Sequence, residues 1–276
     1  MLYICPTPIG NLEDITLRVL RVLQEVDLIL AEDTRHSGQL LHHYQISKPL
    51  DSLHEHNEKD KTEKILAMLR GGQKIALISD AGMPGISDPG AWLIKEVIAA
   101  GLSLQVLPGA NAALVAYLQS GFLTPHFLYY GFLPRRSKDR IQALEELRGI
   151  PFPLIFYEAP HRLKATLEDL RVVLGDRSVS ISRELTKRFE ETKRGSLTEL
   201  IEFYQEHNPR GEFVVTVDGA QGDLQEKITE DDVLQSLKTL ISSGLSRKTA
   251  INQISAEYRL PKNRVYELAL MLKSED

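Results

Sequence analysis

Short apolar runs alternate along this chain with stretches whose apolar residues recur at helical spacing, the pattern of βα units around a largely parallel sheet. Residues 2–5, 27–31, 74–79 and 102–107 read as strands. Leu17, Leu20 and Leu23 mark a helix after the first of them, with Asp14 as its expected cap, and helical patterns over 91–100 and 111–119 follow later. Glycine and proline interrupt the pattern at 120–126. It then restarts with strands at 127–133, 154–157, 179–182 and 213–217 and helices at 138–148, 161–174 and 197–206. Residues 219–230 are polar and aperiodic, as a linker would be. Beyond them lie helical patterns at 229–242 and 247–258 and a helix opened by Pro261 that runs to 272. The last two, joined by Arg259 and Leu260, resemble a helix-turn-helix. The expected parts are an α/β domain over 1–121, a second α/β domain over 122–220, and a linker with a small helical tail over 221–276.

The 276 residues, 42% apolar and 26% charged, suffice for more than one core. No run approaches a membrane span, no secretory leader opens the sequence, and the one cysteine, Cys5, cannot form an intrachain disulfide. These features point to a cytoplasmic protein without a membrane partner. A net charge of -5 argues against general coating of nucleic acid, so any RNA surface must be a local patch. Two clusters qualify: Arg135, Arg136, Lys138 and Arg140 in one loop, and Arg247, Lys248, Arg259, Lys262 and Arg264 near the end. Lys262, Asn263 and Arg264 stand at a helix start, where cations and backbone N–H groups converge on phosphate. A helical cap that only packs or dimerises is the competing reading. The pairs His42-His43 and His54-x-His56 lack a carboxylate at matching spacing, so no metal site is expected.

In open α/β sheets, ligands bind beyond the carboxyl ends of the strands. Here those ends run into Pro6-Thr7-Pro8-Ile9-Gly10-Asn11, Glu32-Asp33-Thr34-Arg35, the loop 79–90 and Pro108-Gly109-Ala110-Asn111. The loop 79–90 is rich in glycine and proline, which permits close backbone approach to a ligand, and Ser87 or Asp88 is placed to cap the helix that follows. Neither G-x-G-x-x-G in the first turn nor G-x-x-x-x-G-K-[ST] occurs, which disfavours a dinucleotide or polyphosphate.

Six ordered motifs add to this reading: Pro6-Thr7-Pro8-Ile9-Gly10-Asn11-Leu12, Ala31-Glu32-Asp33-Thr34-Arg35, the loop 79–90, Gly131-Phe132-Leu133-Pro134, Phe156-Tyr157-Glu158-Ala159-Pro160-His161-Arg162 and Arg183-Glu184-Leu185-Thr186-Lys187. They closely resemble the ribosomal RNA small subunit methyltransferase I family of the tetrapyrrole methylase superfamily. The resemblance spans about residues 2–219. It implies an α/β, two-domain tetrapyrrole-methylase-like fold with a mostly parallel N-terminal sheet, a mixed second sheet and a small C-terminal helical domain. It implies S-adenosylmethionine as cofactor, 2′-O-ribose methylation of a cytidine in the decoding region of 16S rRNA, 16S rRNA or the small ribosomal subunit as partner, and a homodimer. Carried over residue by residue, it places the cofactor against Pro8, Ser79, Asp80, Ala81, Gly82, Ile86, Ser87, Pro108, Gly109 and Ala112, with Phe156 and Tyr157 walling the adenine. The first turn lacks the glycine-rich form of the tetrapyrrole enzymes, which favours the RNA branch, and Asn111 stands where proline is common.

Methyl transfer asks mainly for alignment and exclusion of water, with a carboxylate or histidine able to take the hydroxyl proton. Glu32, Asp33, Glu158, His161 and Glu184 all follow predicted strands. Glu184 is favoured as base because Arg183 and Lys187 flank it, and Glu158 and His161 are the other catalytic candidates. Arg35, Arg135, Arg136, Arg162, Arg183, Lys187, Lys262 and Arg264 are the RNA-contacting candidates. Two competing functions stay open: a tetrapyrrole or protein (diphthine-type) methyltransferase of the same fold, and a noncatalytic RNA-binding module.

Overall fold

Five strands, β1 (Leu2–Ile4), β2 (Leu28–Ala31), β3 (Leu50–Ser52), β4 (Ile75–Ile78) and β5 (Leu104–Val106), form a first sheet in the order β3-β2-β4-β1-β5. Every pairing in it is parallel. A parallel sheet must be covered on both faces, and strand alternation divides its side chains between two cores. Cys5, Ile29, Ala31, Ala76 and Ile78 pack under α1 (Leu17–Glu25) and α2 (Thr34–His43) through Val19, Val22, Leu23 and Leu41. Leu2, Ile4, Leu30, Ile75 and Leu77 pack under α3 (Glu58–Arg70) and α4 (Ala91–Ala99) through Ile65, Leu66, Leu69, Leu93 and Val97. The structure, a computed structural model, describes residues 1–122, 124–220, 230–257 and 261–272. It comprises two compact units, Met1–Ala220 and Gln221–Asp276.

The first unit contains a second sheet, of β6 (Leu128–Phe132), β7 (Leu154–Glu158), β8 (Ser178–Arg183), β9 (Glu191–Ser196) and β10 (Phe213–Val217), in the order β6-β7-β10-β8-β9. It is mixed: β6 and β7 run parallel, and the other neighbours are antiparallel. One face is covered by α6 (Ser137–Leu147), α7 (Leu163–Leu174) and α8 (Leu197–Glu206), whose leucines meet Leu154, Phe156, Val179, Ile181 and Val215. The other face takes α5 (Ala112–Ser120), whose Ala113 and Ala116 sit against Ile155 and Val214 together with Ile9 and Leu185. Small residues on α5 let it lie close enough to join the first turn to the second sheet.

Four elements were not expected from the pattern: α2, β3, α3 and β9. Two expected caps also change. Asp14 lies in a short 3-10 turn, Leu12–Asp14, and α1 is capped instead by Thr16, whose hydroxyl accepts from the Val19 N–H at 3.1 Å. Neither Ser87 nor Asp88 caps α4; Gly90 takes that position, and the Glu58 carboxylate reaches across from α3 to accept from the Leu93 N–H at 2.9 Å. Asn111, in place of the common proline, caps α5 by accepting from the Leu114 N–H.

The second unit holds α9 (Glu230–Ser242), α10 (Arg247–Glu257) and α11 (Lys262–Met271) around a core of Val233, Leu237, Ala250, Ile254, Val265 and Leu268. Pro261 is the cap of α11 rather than its first residue. The linker expected at 219–230 falls mostly, and the 259–260 connection entirely, outside the described residues. Among the described residues, no helix is long and apolar enough to cross a membrane.

Candidate functional site

A cavity of about 330 Å³ opens within the first unit, where strand-end loops of the first sheet meet an edge of the second. Ile9, Ala81, Gly82, Met83, Ile86, Ser87 and Asp88 form one wall, and Asn111 and Ala112 supply the start of α5. Opposite stand Tyr129, Phe132, Tyr157, Glu158, Ala159, Pro160, Leu185, Glu212, Phe213 and Val214. Its size and its mix of aromatic, apolar and few polar groups suit a small molecule.

The loop wall is held by its own backbone. Thr7 and Gly82 exchange N–H···O bonds at 2.9 and 3.1 Å, the Thr7 hydroxyl donates to the Ser79 carbonyl at 3.0 Å, and Ser79 Oγ donates to the Gly82 carbonyl at 3.1 Å. Gly82 has φ +82°, a conformation that favours glycine, so this bridge between the first turn and the long loop needs that residue. At Gly109 a Cβ would lie 2.6 Å from Pro6, so glycine there lets the two proline-bearing turns touch.

Of the expected cofactor residues, the structure brings Ala81, Gly82, Ile86, Ser87, Ala112 and Tyr157 to the cavity. Pro8, Ser79, Asp80, Pro108 and Gly109 do not line it; Ser79 stands behind the wall and shapes it. Phe156 is fully buried in the core on the opposite face of the sheet, because consecutive strand residues point oppositely and Tyr157 faces the cavity. The sequence-predicted site residues did not include Ile9, Met83, Asp88, Asn111, Tyr129, Phe132, Ala159, Pro160, Leu185, Glu212, Phe213 and Val214. The Tyr129–Tyr157 ring separation of 5.2 Å and the Phe132–Tyr157 separation of 5.6 Å make one aromatic wall. Ser87 Oγ and the Tyr129 hydroxyl, 2.5 Å apart, close the loop wall onto it.

The electrostatics of the loop wall are anionic. Burial, then the charges of Glu32 and Asp80, push the Asp88 carboxyl up to about 6, against a lowering bond from Ser79. Burial also raises Glu32, helped by Asp80 and Asp33 and opposed by His54. Arg35 pairs with Asp33, but among the described residues no Lys or Arg pairs with Glu32, Asp80 or Asp88. A cationic ligand would.

The catalytic candidates are differently placed. Glu158 lines the cavity, but its oxygens are taken: Oε1 accepts from the Ala159 N–H at 2.8 Å and pairs with Arg162 Nε at 3.2 Å, and Oε2 accepts from the Thr166 hydroxyl at 2.5 Å. His161 is exposed and does not line the cavity. Neither does Glu184, whose Oε1 accepts from the Glu212 N–H at 2.9 Å and from Lys187 Nζ at 3.0 Å. Burial raises the Glu184 carboxyl, but the Glu212 N–H, Lys187 and Arg183 outweigh it and hold it below its ordinary value. These contacts bracket the Leu185 and Glu212 sides of the cavity. Glu184→Gln, which keeps an acceptor oxygen, is therefore expected to stay within about 1 kcal/mol of the parent, and Glu184→Ala to lose roughly 1–3 kcal/mol, read from urea midpoints. Equal loss in both would refute the bracket.

The cationic candidates divide by partner. Arg162 donates to the carbonyls of Leu133 and Pro134 at 2.7 and 3.3 Å, and Arg140, buried, pairs with Asp169 at 2.6 Å and donates to the Pro134 and Arg135 carbonyls. Both therefore hold the basic loop from beneath. Arg183 faces Glu191 at 3.5 Å, Lys187 bridges Glu184 and Glu212, and Arg35, almost wholly exposed, returns to Asp33 at 3.0 Å. Arg135 and Arg136 are exposed, and among the described residues no carboxylate pairs with them. In the second unit Lys262 is exposed, while Arg264 pairs with Glu230 and Glu267.

The sequence model of the Tetrapyrrole (Corrin/Porphyrin) Methylases matches residues 1–201. A ribosomal RNA small subunit methyltransferase I of Synechocystis sp. is 44% identical over 276 residues, covering 100% of this chain and 99% of its own. The protein of that name from Bacillus subtilis is 44% identical over 274 residues, 97% of this chain and 93% of its own. The chain belongs to the tetrapyrrole methylases, and within them to the ribosomal RNA small subunit methyltransferase I family. Its fold is shared with a uroporphyrin-III C-methyl transferase from Thermus thermophilus solved with S-adenyl homocysteine, at a TM-score of 0.57 and 16% identity, over 79% of this chain and 96% of that one. The parallel sheet, mixed sheet and terminal helices are those expected of the family.

Proposed function

We propose that this protein transfers a methyl group from S-adenosylmethionine to the ribose 2′-oxygen of a cytidine in the decoding region of 16S rRNA, acting in the cytoplasm on 16S rRNA or the small ribosomal subunit. The observation that carries this reading is end-to-end similarity to relatives named for small-subunit rRNA methylation. In this reading residues 1–121 supply the donor loops, 122–220 the aromatic wall, and 221–276 helices that contact RNA through Lys262 and Arg264.

The cavity's residues fit the donor. Its aromatic wall suits an adenine, and Asp88, a lining carboxylate raised by burial and by the charges of Glu32 and Asp80, suits a sulfonium or an ammonium group. When bound, S-adenosylmethionine supplies a methyl carbon already activated by its sulfonium. The chain's own part is alignment: the Thr7–Gly82 bridge fixes the loop wall, the Ser87–Tyr129 contact holds the two walls together, and Phe132, Tyr129 and Tyr157 exclude water. Glu184 and Glu158 have their oxygens engaged within the protein, so we assign them to positioning the cavity edge rather than to taking the hydroxyl proton.

Leu114 and Leu118, one turn apart on α5 and both exposed, support a homodimer, which sedimentation equilibrium tests. The decisive experiment maps ribose methylation of 16S rRNA in cells with and without this protein. One cytidine in the decoding region should lose its mark; an unchanged map would end the proposal.

A further inference from the structure

Strand register places the ends of β6, β7 and β8 and the beginning of β10 at one edge of the second sheet: Phe132 lies beside Tyr157, and Phe213 lies between Glu158 and Arg183. The loops that leave this edge carry Arg135, Arg136, Arg188 and Arg210. All four are exposed, and among the described residues no carboxylate pairs with any of them. The edge also forms one wall of the cavity.

The loop after β8 is built to hold a shape. Glu184 and Thr186 have φ +51° and +64°, left-handed values that cost conformational energy for residues with side chains. The strain is held by several bonds. Thr186 N–H donates to Glu190 Oε2 at 2.5 Å, Gln119 donates to Glu190 Oε1 at 2.5 Å, and the Asn11 N–H donates to Thr186 Oγ1 at 3.1 Å. At the tip of this anchored loop stands Phe189, 66% exposed, with the Arg188 guanidinium 5.6 Å from its ring centre. An anchored, solvent-facing aromatic ring beside the Arg188 guanidinium, on a sheet edge whose other loops carry three more unpaired arginines, has the chemistry of a platform for unpaired bases, where the ring stacks a base and the cations take its phosphates.

We propose that Phe189 and Arg188 form a stacking clamp for an unpaired base of the RNA acceptor, with Arg135, Arg136 and Arg210 holding the phosphates that flank it. The proposal rests on the RNA reading given above and adds how the strand is gripped. It explains why a loop under backbone strain presents a phenylalanine to water: rigidity lets the ring bind without first being ordered.

The test measures binding of a fluorescein-labelled single-stranded RNA oligonucleotide by anisotropy, and KM and kcat on small ribosomal subunits lacking the methyl mark. Phe189→Ala should weaken RNA binding by roughly five- to 100-fold and raise KM while sparing kcat. Phe189→Trp should restore both, and Phe189→Leu, apolar but without a π face, should fall with alanine. Donor binding by calorimetry and the melting temperature should stay at parental values, since Phe189 does not line the cavity. Parental RNA affinity and KM in Phe189→Ala, or full function in Phe189→Leu, would overturn the clamp while leaving the RNA reading in place. A variant that instead alters the sedimentation coefficient of the RNA-free protein would assign the ring to a contact between copies, also against the proposal. A wild-type protein that neither binds the oligonucleotide nor methylates the subunit would instead remove the RNA reading itself.

Discussion

Glu158→Ala is expected to destabilise the first unit by about 3–5 kcal/mol, lowering its melting temperature by roughly 10 °C. The size follows from what is stranded. The Arg162 guanidinium, whose side chain is only 16% exposed, loses the carboxylate beside it, and the buried Thr166 hydroxyl loses its acceptor. An uncompensated buried charge costs far more than the pair gains over an apolar replacement. Glu158→Gln keeps one acceptor oxygen for the Ala159 N–H and Arg162 and turns an amide NH2, to which a hydroxyl oxygen can accept, toward Thr166, and should lose less than half as much. The damage should also spread, because Arg162 holds the Leu133 and Pro134 carbonyls and so the base of the loop that carries Arg135 and Arg136. Urea denaturation gives the stability, and RNA affinity at a temperature where the variant is folded gives the spread. A loss under 1 kcal/mol in Glu158→Ala would show that the pair is not the brace proposed here.

The same residues show what sequence can and cannot disclose. The run Ile75–Ile78 is buried on both faces and has only one sensible reading, a central parallel strand, so the first sheet was legible except at its edge. β3 at that edge is three half-buried residues, and β9 at the other sheet's edge is Glu-Thr-Lys-Arg-Gly-Ser, with no apolar face to announce it. Helix α2 buries only Ser37 and Leu41, too little for a stripe, and α3 opens on charged residues, of which Glu58 is buried for its bond to α4. The donor loops were legible because parallel sheets put ligands at strand ends. The opposite wall was not: Leu185, Glu212, Phe213 and Val214 reach the cavity only through the way β8 and β10 approach the first sheet. Period two dictates that Phe156 and Tyr157 face opposite ways but not which one faces the ligand. Charge is the hardest case. Arg135 and Arg162 are the same letter, and only tertiary structure shows one free in solvent and the other consumed in holding a loop.

Asp88→Asn is expected to stabilise the unliganded protein at neutral pH and weaken its hold on S-adenosylmethionine by on the order of tenfold or more. Burial, Glu32 and Asp80 raise the Asp88 carboxyl from 3.8 to about 6, and the groups around it are Ser79, Ser87, Tyr129 and Tyr157, none of them cationic. A raised carboxyl binds its proton more tightly folded than unfolded. Its contribution is therefore most favourable below pH 3.8, declines as pH rises to about 6, and stays at its least favourable above that. Asparagine carries no charge at any of these pH values, so this decline should disappear from the variant's stability profile, leaving it the more stable protein at pH above 6. Donor binding should move the other way, because a carboxylate whose charge is costly where it is buried would gain from a cation brought beside it. In the parent, affinity for S-adenosylmethionine should fall as pH drops through about 6, whereas affinity for S-adenosylhomocysteine, which lacks the sulfonium, should change less. Melting curves across pH and calorimetry with both ligands separate the two effects. A variant less stable than the parent at neutral pH, or one that binds both ligands as the parent does, would place Asp88 in the scaffold. A gain in stability with a loss in affinity is the mark of a residue kept for its ligand.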